Sequence, residues 1–491
     1  MIIKKDLSII QSFFSDKSYL KGGYAREVYF PQRTSDICQI LKAANKKKET
    51  ITISGAGTGT TGGRIPFGGK IIAMEKIKKL SLVNNSDALP TLSVGAGSTL
   101  AEIRDFLDPL GYFYPPDPTE TSAQIGSTIA NNSSGARSFY FGATRKWIKN
   151  LEVILPTGKQ LIIKRGQLKA KNNKIAWDHL FIKDLSKEIS LPKYNLPKTK
   201  NAAGYYIEPN MDIMDLFIGS EGTLGVITNA ELSLLIKPKI NIGFFVFIKN
   251  EEEAIQLAEN LREKNKKKIH STSLIDPICI EYFDKQSLKI LKLSNDKIPP
   301  EADSCIYVEQ FAQEDEEKIL TSWDAFFEIN KNHIIDIWCA TNFKEHQKFK
   351  NIRHQLPSTI NEKISQYGYP KISMDFAVPS NMFRNTYSLY KKTLENTPLE
   401  WLAFGHFGDC HLHLNILPKD KNELSIAKNI YTKLAKAVIK SGGTISAEHG
   451  IGKIKHHYLE MMYGKETIEK MKKLKRIFDP NWILNIGNVF R

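Results

Sequence analysis

ISGAGTGTTGG, residues 53–63, carries Gly57-x-Gly59-x-x-Gly62. On spacing alone it fits the fingerprint of NAD-dependent enzymes, where a strand leads through the glycines into a helix whose first amides and dipole hold a pyrophosphate. The strand is present as ETITIS, residues 49–54. The helix is not: the loop runs into Arg64-Ile-Pro-Phe-Gly-Gly69, and Pro66 with two further glycines breaks any helix at once. KIIAM at 70–74 reads as another strand, and no acidic residue stands about 20 positions on to take a ribose hydroxyl. A Rossmann reading therefore fails. A strand–loop–strand glycine run still bares many backbone N–H groups, and successive amides form an anion-binding concavity without a helix.

Outward from this loop, helix and strand signals alternate. In TSDICQILKAA (34–44), Ile37, Ile40, Leu41 and Ala44 recur at the period of one helical face, with Thr34 or Ser35 as cap. TLSVGAG (91–97) reads as a strand. STLAEIRDFLDPLG (98–111) reads as a helix opened by a Thr99/Glu102 capping box and closed by Gly111. Residues 164–200, rich in Lys and Asn, read as a surface excursion. A boundary falls near Lys237-Pro238, after the strand-like ELSLLI, and the alternating NIGFFVFI (241–248) opens a new unit.

Composition bounds the rest. A chain of 491 residues with 41% hydrophobic content suggests roughly three domains of about 150 residues. The net charge of +16 comes from scattered lysines without a nucleic-acid-reading motif. It reads as solvated surface charge, leaving anionic substrates or peripheral contact with the inner face of a membrane as alternatives, and no nucleic acid. The five cysteines are far apart with no C-x-x-C pair, which disfavours an iron–sulfur cluster, a zinc ribbon or a disulfide framework and fits a cytoplasmic location. MIIKKDLSII interrupts its apolar residues with charge, so no signal-peptide core forms, and no 18 apolar residues run together to span a bilayer.

Three later stretches carry chemistry. In YPPDPTETSAQIGSTIANNSSGARSFYFG (114–142), prolines stiffen a corner around Asp117, and small residues then offer hydroxyls and exposed amides that can lie against an aromatic ring system and its phosphates. LFIGSEGTLGVIT (216–228) alone is a turn between strands. In FGHFGDCHLHLNIL (404–417), strand alternation puts His411, His413 and Asn415 on one face and Leu412, Leu414 and Ile416 on the core face, with His406 in the glycine-flanked turn before them. Such histidines suit a divalent metal if a carboxylate joins them, and Glu448 in SAEHGIGK is the candidate; a purely structural histidine pair is the alternative.

In this order, the glycine loop, PPDPT, GSEGTLGVIT, G-H-x-G-D-x-x-x-H and E-H-G-I-G-K resemble the vanillyl-alcohol oxidase superfamily of FAD-linked oxidases, particularly its glycolate oxidase, D-lactate dehydrogenase and D-2-hydroxyglutarate dehydrogenase branch. The resemblance covers nearly the entire chain. It implies an α+β fold: a PCMH-type, two-subdomain FAD-binding domain (1–238), a substrate or cap domain on an antiparallel sheet (239–455), and a C-terminal helical segment (456–491) returning to the FAD domain. FAD contacts are then expected from Gly55, Ala56, Gly57, Thr58, Gly59, Thr60 and Gly62, and from Pro116, Asp117, Thr119, Ser122, Gly126, Ser127, Asn132, Ser133 and Ser134. Glu221, Gly222, Gly225, Ile227 and Asn485 complete the expected FAD site. Residues 53–63 and 114–142 contain neither His nor Cys, so the flavin is expected to be noncovalent.

The resemblance also maps divalent-metal ligands, zinc first, onto His406, His413 and Glu448, with Asn415 nearby. Relatives read G-D-G-N where this chain has Gly408-Asp-Cys-His411, so His411 competes as a ligand. His449 is the expected general base, since imidazole titrates near working pH. Arg353 is the expected clamp for the substrate carboxylate and Lys371 a contact to a second one. The implied activity is oxidation of a 2-hydroxy acid to the 2-oxo acid by hydride transfer to flavin. The alternative is the flavin subunit of a complex that needs an iron–sulfur partner. The electron acceptor (quinone, cytochrome, electron-transfer flavoprotein or iron–sulfur protein) and the oligomeric state stay open.

Overall fold

Strands Ile51–Ser54 and Lys70–Ala73 lie side by side and parallel, Ile51 opposite Lys70 and Ser54 opposite Ala73, and the glycine loop joins them without a helix. The computed structural model describes residues 1–85, 88–176, 188–265 and 274–491. The two strands belong to a four-stranded sheet ordered Ile2–Lys4, Glu27–Phe30, Lys70–Ala73, Ile51–Ser54. Helix Thr34–Lys47 lays Ile37, Ile40, Leu41 and Ala44 into its core, as the 3.6-residue period requires. Its cap differs from the reading above. The helix starts at Thr34 itself, the cap position falls to Arg33 with no capping side chain, and Asp36 accepts from Gln32 N at 2.9 Å instead.

A second, antiparallel sheet runs in the order Leu80–Asn85, Ala88–Gly95, Val226–Ser233, Ile148–Ile154, Gln160–Lys164. Helix Leu100–Leu107 packs on it through Leu100, Ile103 and Leu107, and its capping box is formed: Thr99 Oγ1 accepts from Glu102 N (3.1 Å) and Glu102 Oε2 from Thr99 N (2.8 Å). Gly111, at φ 75°, closes the turn that follows.

The third sheet has seven strands, every neighbouring pair antiparallel: Ile334–Ala340, Ile240–Ile248, Ser304–Ala312, Cys279–Phe283, Trp401–His406, His411–Ile416, Ile372–Ala377. Both of its faces are covered near the centre. His411 and Asn415 are therefore as buried as Leu412, Leu414 and Ile416, and on the functional face read from the alternation His413 alone is partly exposed. His406 also differs from the reading. It ends strand Trp401–His406, and the turn is Phe407–Asp409, completed by Cys410 at φ 53°.

Of the expected excursion at 164–200, residues 177–187 lie outside the described residues; Lys174–Ala176 pairs with Glu188–Ser190. Its far end is not at the surface, because the Lys200 side chain is only 7% exposed. Nor is all of the positive charge solvated: Lys455 and Lys475 are buried too.

Helices His456–Tyr463 and Lys465–Phe478 lead the chain back to the first sheet, where Ile51 N donates to Ile483 O (2.7 Å) and Asn485 N to Ile51 O (2.8 Å). Lys475 anchors this return. Its Nζ donates to Asp479 Oδ2 (2.7 Å), Thr223 O (2.8 Å) and Leu484 O (3.0 Å), while Asp479 accepts from Ile483 N and Leu484 N at 2.9 Å each. Lys475→Met leaves a buried carboxylate without its cation, an expected loss of about 3–5 kcal/mol, checked by the urea denaturation midpoint. Adding Asp479→Leu should recover part of that loss.

Candidate active site

The glycine loop is shaped by close approach. A Cβ on Gly55 would lie 2.1 Å from Ser127 Oγ, and one on Gly57, at φ 80°, would lie 2.2 Å from Arg64 Nη1, whereas Gly59 has nothing within 4 Å. Arg64 threads under this loop, donating from Nη1 to Gly55 O (3.2 Å) and from Nη2 to Ser12 O (2.9 Å). Its Nε is buried without a partner, and so is Gln124 Oε1, 3.3 Å from the place of a Gly55 Cβ. A guanidinium held among bare amides with an unused donor fits an anionic diphosphate. Thus the loop suits the FAD expected there, and Arg64 joins it as a candidate that the sequence reading did not name. Gln124 also borders a hollow of about 580 Å³ with Gly97, Thr99, Glu75, Lys76 and Lys78.

The histidines gather at the ends of strands Trp401–His406 and His411–Ile416. His406 Nε2 lies 3.3 Å from both His413 Nε2 and Glu448 Oε1, and His413 Nε2 lies 3.8 Å from Glu448 Oε2. Ligands about 2.0–2.2 Å from one ion stand roughly 3–3.5 Å apart, so these three fit a metal. His411 joins them: one atom from each of His406, His411, His413 and Glu448 falls within 4.8 Å of the others. Burial, abetted by the neighbouring imidazoles, holds His413 well below its ordinary pKa and thus neutral, the form a metal needs. Asn415 Oδ1 is buried nearby without a partner.

Carboxylates and cations orient this set. Glu281 Oε1 accepts from His406 Nδ1 at 2.6 Å, which turns Nε2 toward the other ligands. Burial opposes charge on His406, but Glu281 and Glu448 outweigh it and raise its pKa to about 9. Glu448 Oε1 accepts from Ser134 Oγ (2.9 Å) and from Lys200, whose ammonium also reaches Asp409 Oδ2 (3.3 Å) and Ser138 Oγ (2.7 Å). Asp375 is the hub of the second strand end. It accepts from Ser446 Oγ (2.8 Å) and His449 N (2.9 Å), and Lys455 Nζ stands at 3.4 Å. Burial disfavours its charge, yet His449, Lys455 and His411 hold its pKa well below the carboxylate range.

His449 stacks on His413, ring centroids 5.3 Å apart and planes 17° from parallel, with Nδ1 3.4 Å from Asp375 Oδ2. Its turn is bound to the glycine loop and to the GSEG turn. Glu221 accepts from Ile451 N and Gly452 N at 2.7 Å each, Lys453 N donates to Thr61 O (2.8 Å), and Thr61 Oγ1 to His449 O (3.3 Å).

Several residues expected at the FAD also bond within the protein: Glu221 to the His449 turn, Asn485 to Ile53 N (2.7 Å) and Glu221 O (2.8 Å), and Ser134 to Glu448, while Ile227 is buried. Gly55–Gly62 and Ser127 stay together, and Gly135 packs on Asp117, where a Cβ would meet Asp117 O at 2.0 Å. Arg353 lies over the Tyr307 ring (4.8 Å) and 3.6 Å from Glu281 Oε2, one residue from His406. Lys371 is half-buried just before strand Ile372–Ala377, on the face of Ser373 and Asp375. Burial, with Lys17 near, pushes its pKa down to about 8. The reading missed Glu281, Asp375, Lys200 and Asp409 as site residues. For the first two a signal existed: a lone acid inside the apolar strands CIEYF and ISMDFA.

Residues 25–164 match the family model described as an FAD binding domain, and residues 242–489, half the chain, match FAD linked oxidases, C-terminal domain. The glycolate oxidase subunit GlcD of Bacillus subtilis is 28% identical over 94% of this chain and 88% of its own. A D-lactate dehydrogenase of Anaerostipes hadrus is 26% identical (98% and 93%), and a D-2-hydroxyglutarate dehydrogenase of Stutzerimonas stutzeri 27% (94% and 90%). Among solved structures, alkyldihydroxyacetonephosphate synthase superposes with a TM-score of 0.65 at 15% identity, covering 98% of this chain and 82% of that one, a likeness of PCMH-type fold. Matched in both halves, and carrying a glycine loop clamped to a histidine–carboxylate cluster, the chain belongs to the FAD-linked oxidase family.

Proposed function

We propose that the protein oxidises a 2-hydroxy acid of the D-lactate, glycolate or D-2-hydroxyglutarate class to the 2-oxo acid, using noncovalent FAD and a zinc ion held by His406, His413 and Glu448. One observation carries this reading. The turn bearing Glu448 and His449 is hydrogen-bonded to Thr61 of the glycine loop and to Glu221, so the ligand set and the flavin loop keep one spacing. The names of the three relatives support the substrate class.

When bound, FAD supplies a two-electron acceptor and the divalent ion a Lewis acid that lowers the pKa of the substrate hydroxyl. The chain supplies the rest. His449, kept neutral by burial against the pull of Asp375, takes the hydroxyl proton on its imidazole. Asp375 and the His413 ring fix the plane of that imidazole. Arg353 offers a planar donor fork to the substrate carboxylate, and Lys371 a point charge to a second one. The relative named as a subunit favours a second reading, in which a partner protein carries the electrons onward; the five cysteines all stand free, so a cluster would sit on that partner.

Anaerobic mixing with each 2-hydroxy acid should bleach the flavin absorbance of the purified protein, and chelation should slow it. His449→Gln should cut the bleaching rate about 10²–10⁴-fold at unchanged flavin content, and no bleaching by any acid of the class would refute the reading. Arg64→Met should weaken FAD binding about 10–100-fold, measured by flavin fluorescence. At pH 7 the half-buried Lys371 is charged at a cost, so Lys371→Met should raise the melting temperature. Because the folded-state pKa lies below the unfolded one, the wild type should recover that gap as pH rises from about 8 to 10.5, while the variant loses affinity for a dicarboxylate.

A further inference from the structure

His411 has a use that the three-ligand reading does not contain. Its ring is fully buried in strand His411–Ile416, between His406 (centroids 5.1 Å) and His413 (4.6 Å), and neither ring nitrogen completes a hydrogen bond. A buried imidazole with two idle nitrogens is costly unless something engages them. Asp375 is the neighbouring candidate, with Oδ1 2.9 Å from Nε2 but out of hydrogen-bond alignment. It already accepts from Ser446 Oγ and His449 N, and it can serve only one nitrogen of the ring. The other nitrogen has no protein partner among the described residues. One His411 nitrogen lies within 4.8 Å of the ligand atoms of His406, His413 and Glu448.

We infer that His411 is a fourth ligand, so that this chain holds its metal with three imidazoles and one carboxylate. The inference rests on the metal site proposed above. Asp375, 2.9 Å from Nε2, is then the carboxylate beside the ligating ring, as Glu281 is beside His406, though its bond to the ring is not formed in this geometry. Three nitrogens also bias the site toward zinc, cobalt or nickel and away from magnesium and manganese, which prefer oxygen. With four positions filled by protein, a chelating 2-hydroxy acid needs an ion that expands beyond four-coordination.

The test uses the full-length flavoprotein, stripped of metal and titrated with Zn²⁺ by calorimetry. His411→Asn should weaken zinc binding about 10–100-fold, with flavin content and melting temperature held as controls. X-ray absorption at the zinc edge of the wild type, which needs no variant, should count three imidazoles. Two imidazoles, or unaltered zinc affinity in His411→Asn, would overturn the inference, as would a wild type that takes up no zinc. If a 2-hydroxy acid still bleaches the flavin in any of those cases, the oxidation reading survives and only the ligand assignment falls.

Discussion

The carboxylate of Glu221 is the constraint from which the rest of the active site follows. It is buried, and it is kept in place by two backbone N–H groups, Ile451 and Gly452, at 2.7 Å each. Those amides belong to the turn directly after Glu448 and His449. Glu221 itself sits at φ 53° in GSEG, where flanking glycines permit the bend, and its carbonyl is tied by Asn485. The GSEG turn and the C-terminal half thus meet at one buried carboxylate, and the glycine loop joins them through Thr61, which bonds Lys453 N and His449 O. Burial pushes the Glu221 pKa up, against the pull of those two amides, and a carboxyl away from bulk water tolerates little displacement of its hydrogen-bond partners.

The same logic repeats at shorter range. Glu281, Asp375 and Glu448 lie within a few ångströms of one another's partners, and burial alone would neutralise all three. Lys200, Lys455, Arg353 and the histidines hold them ionised. Each acid consequently orients a neighbour: Glu281 turns His406, Asp375 sets His449, and Lys200 with Ser134 fixes one oxygen of Glu448, leaving the other toward His413. Arg137 adds the link to the flavin side. Its Nε donates to Glu309 Oε2 at 2.9 Å and Nη1 stands 3.5 Å from Asp117, so one guanidinium joins the seven-stranded sheet to the proline corner through two ion pairs.

By itself the sequence determined what depends on neighbours along the chain. Pro66 and Gly68-Gly69 forbid a helix after the glycine loop whatever surrounds it, which excludes the Rossmann fold; Thr99 and Glu102 cap each other three residues apart; the period of two from His411 assigns faces to the strand. The order of the motifs was enough to point to the family and to bring His406, His413, Glu448 and His449 into one hypothesis. Tertiary structure alone decided whatever depends on a partner hundreds of residues away. Lys200 lay in a stretch that reads as solvated, and only the approach of Glu448 and Asp409 keeps its ammonium buried. Glu221, Ser134 and Asn485 carry residue types suited to a flavin site, and their long-range hydrogen bonds to Ile451, Glu448 and Ile53 appear only once the chain is folded. That His411 packs between His406 and His413 with Asp375 2.9 Å from one nitrogen is a fact of packing that spacing cannot encode.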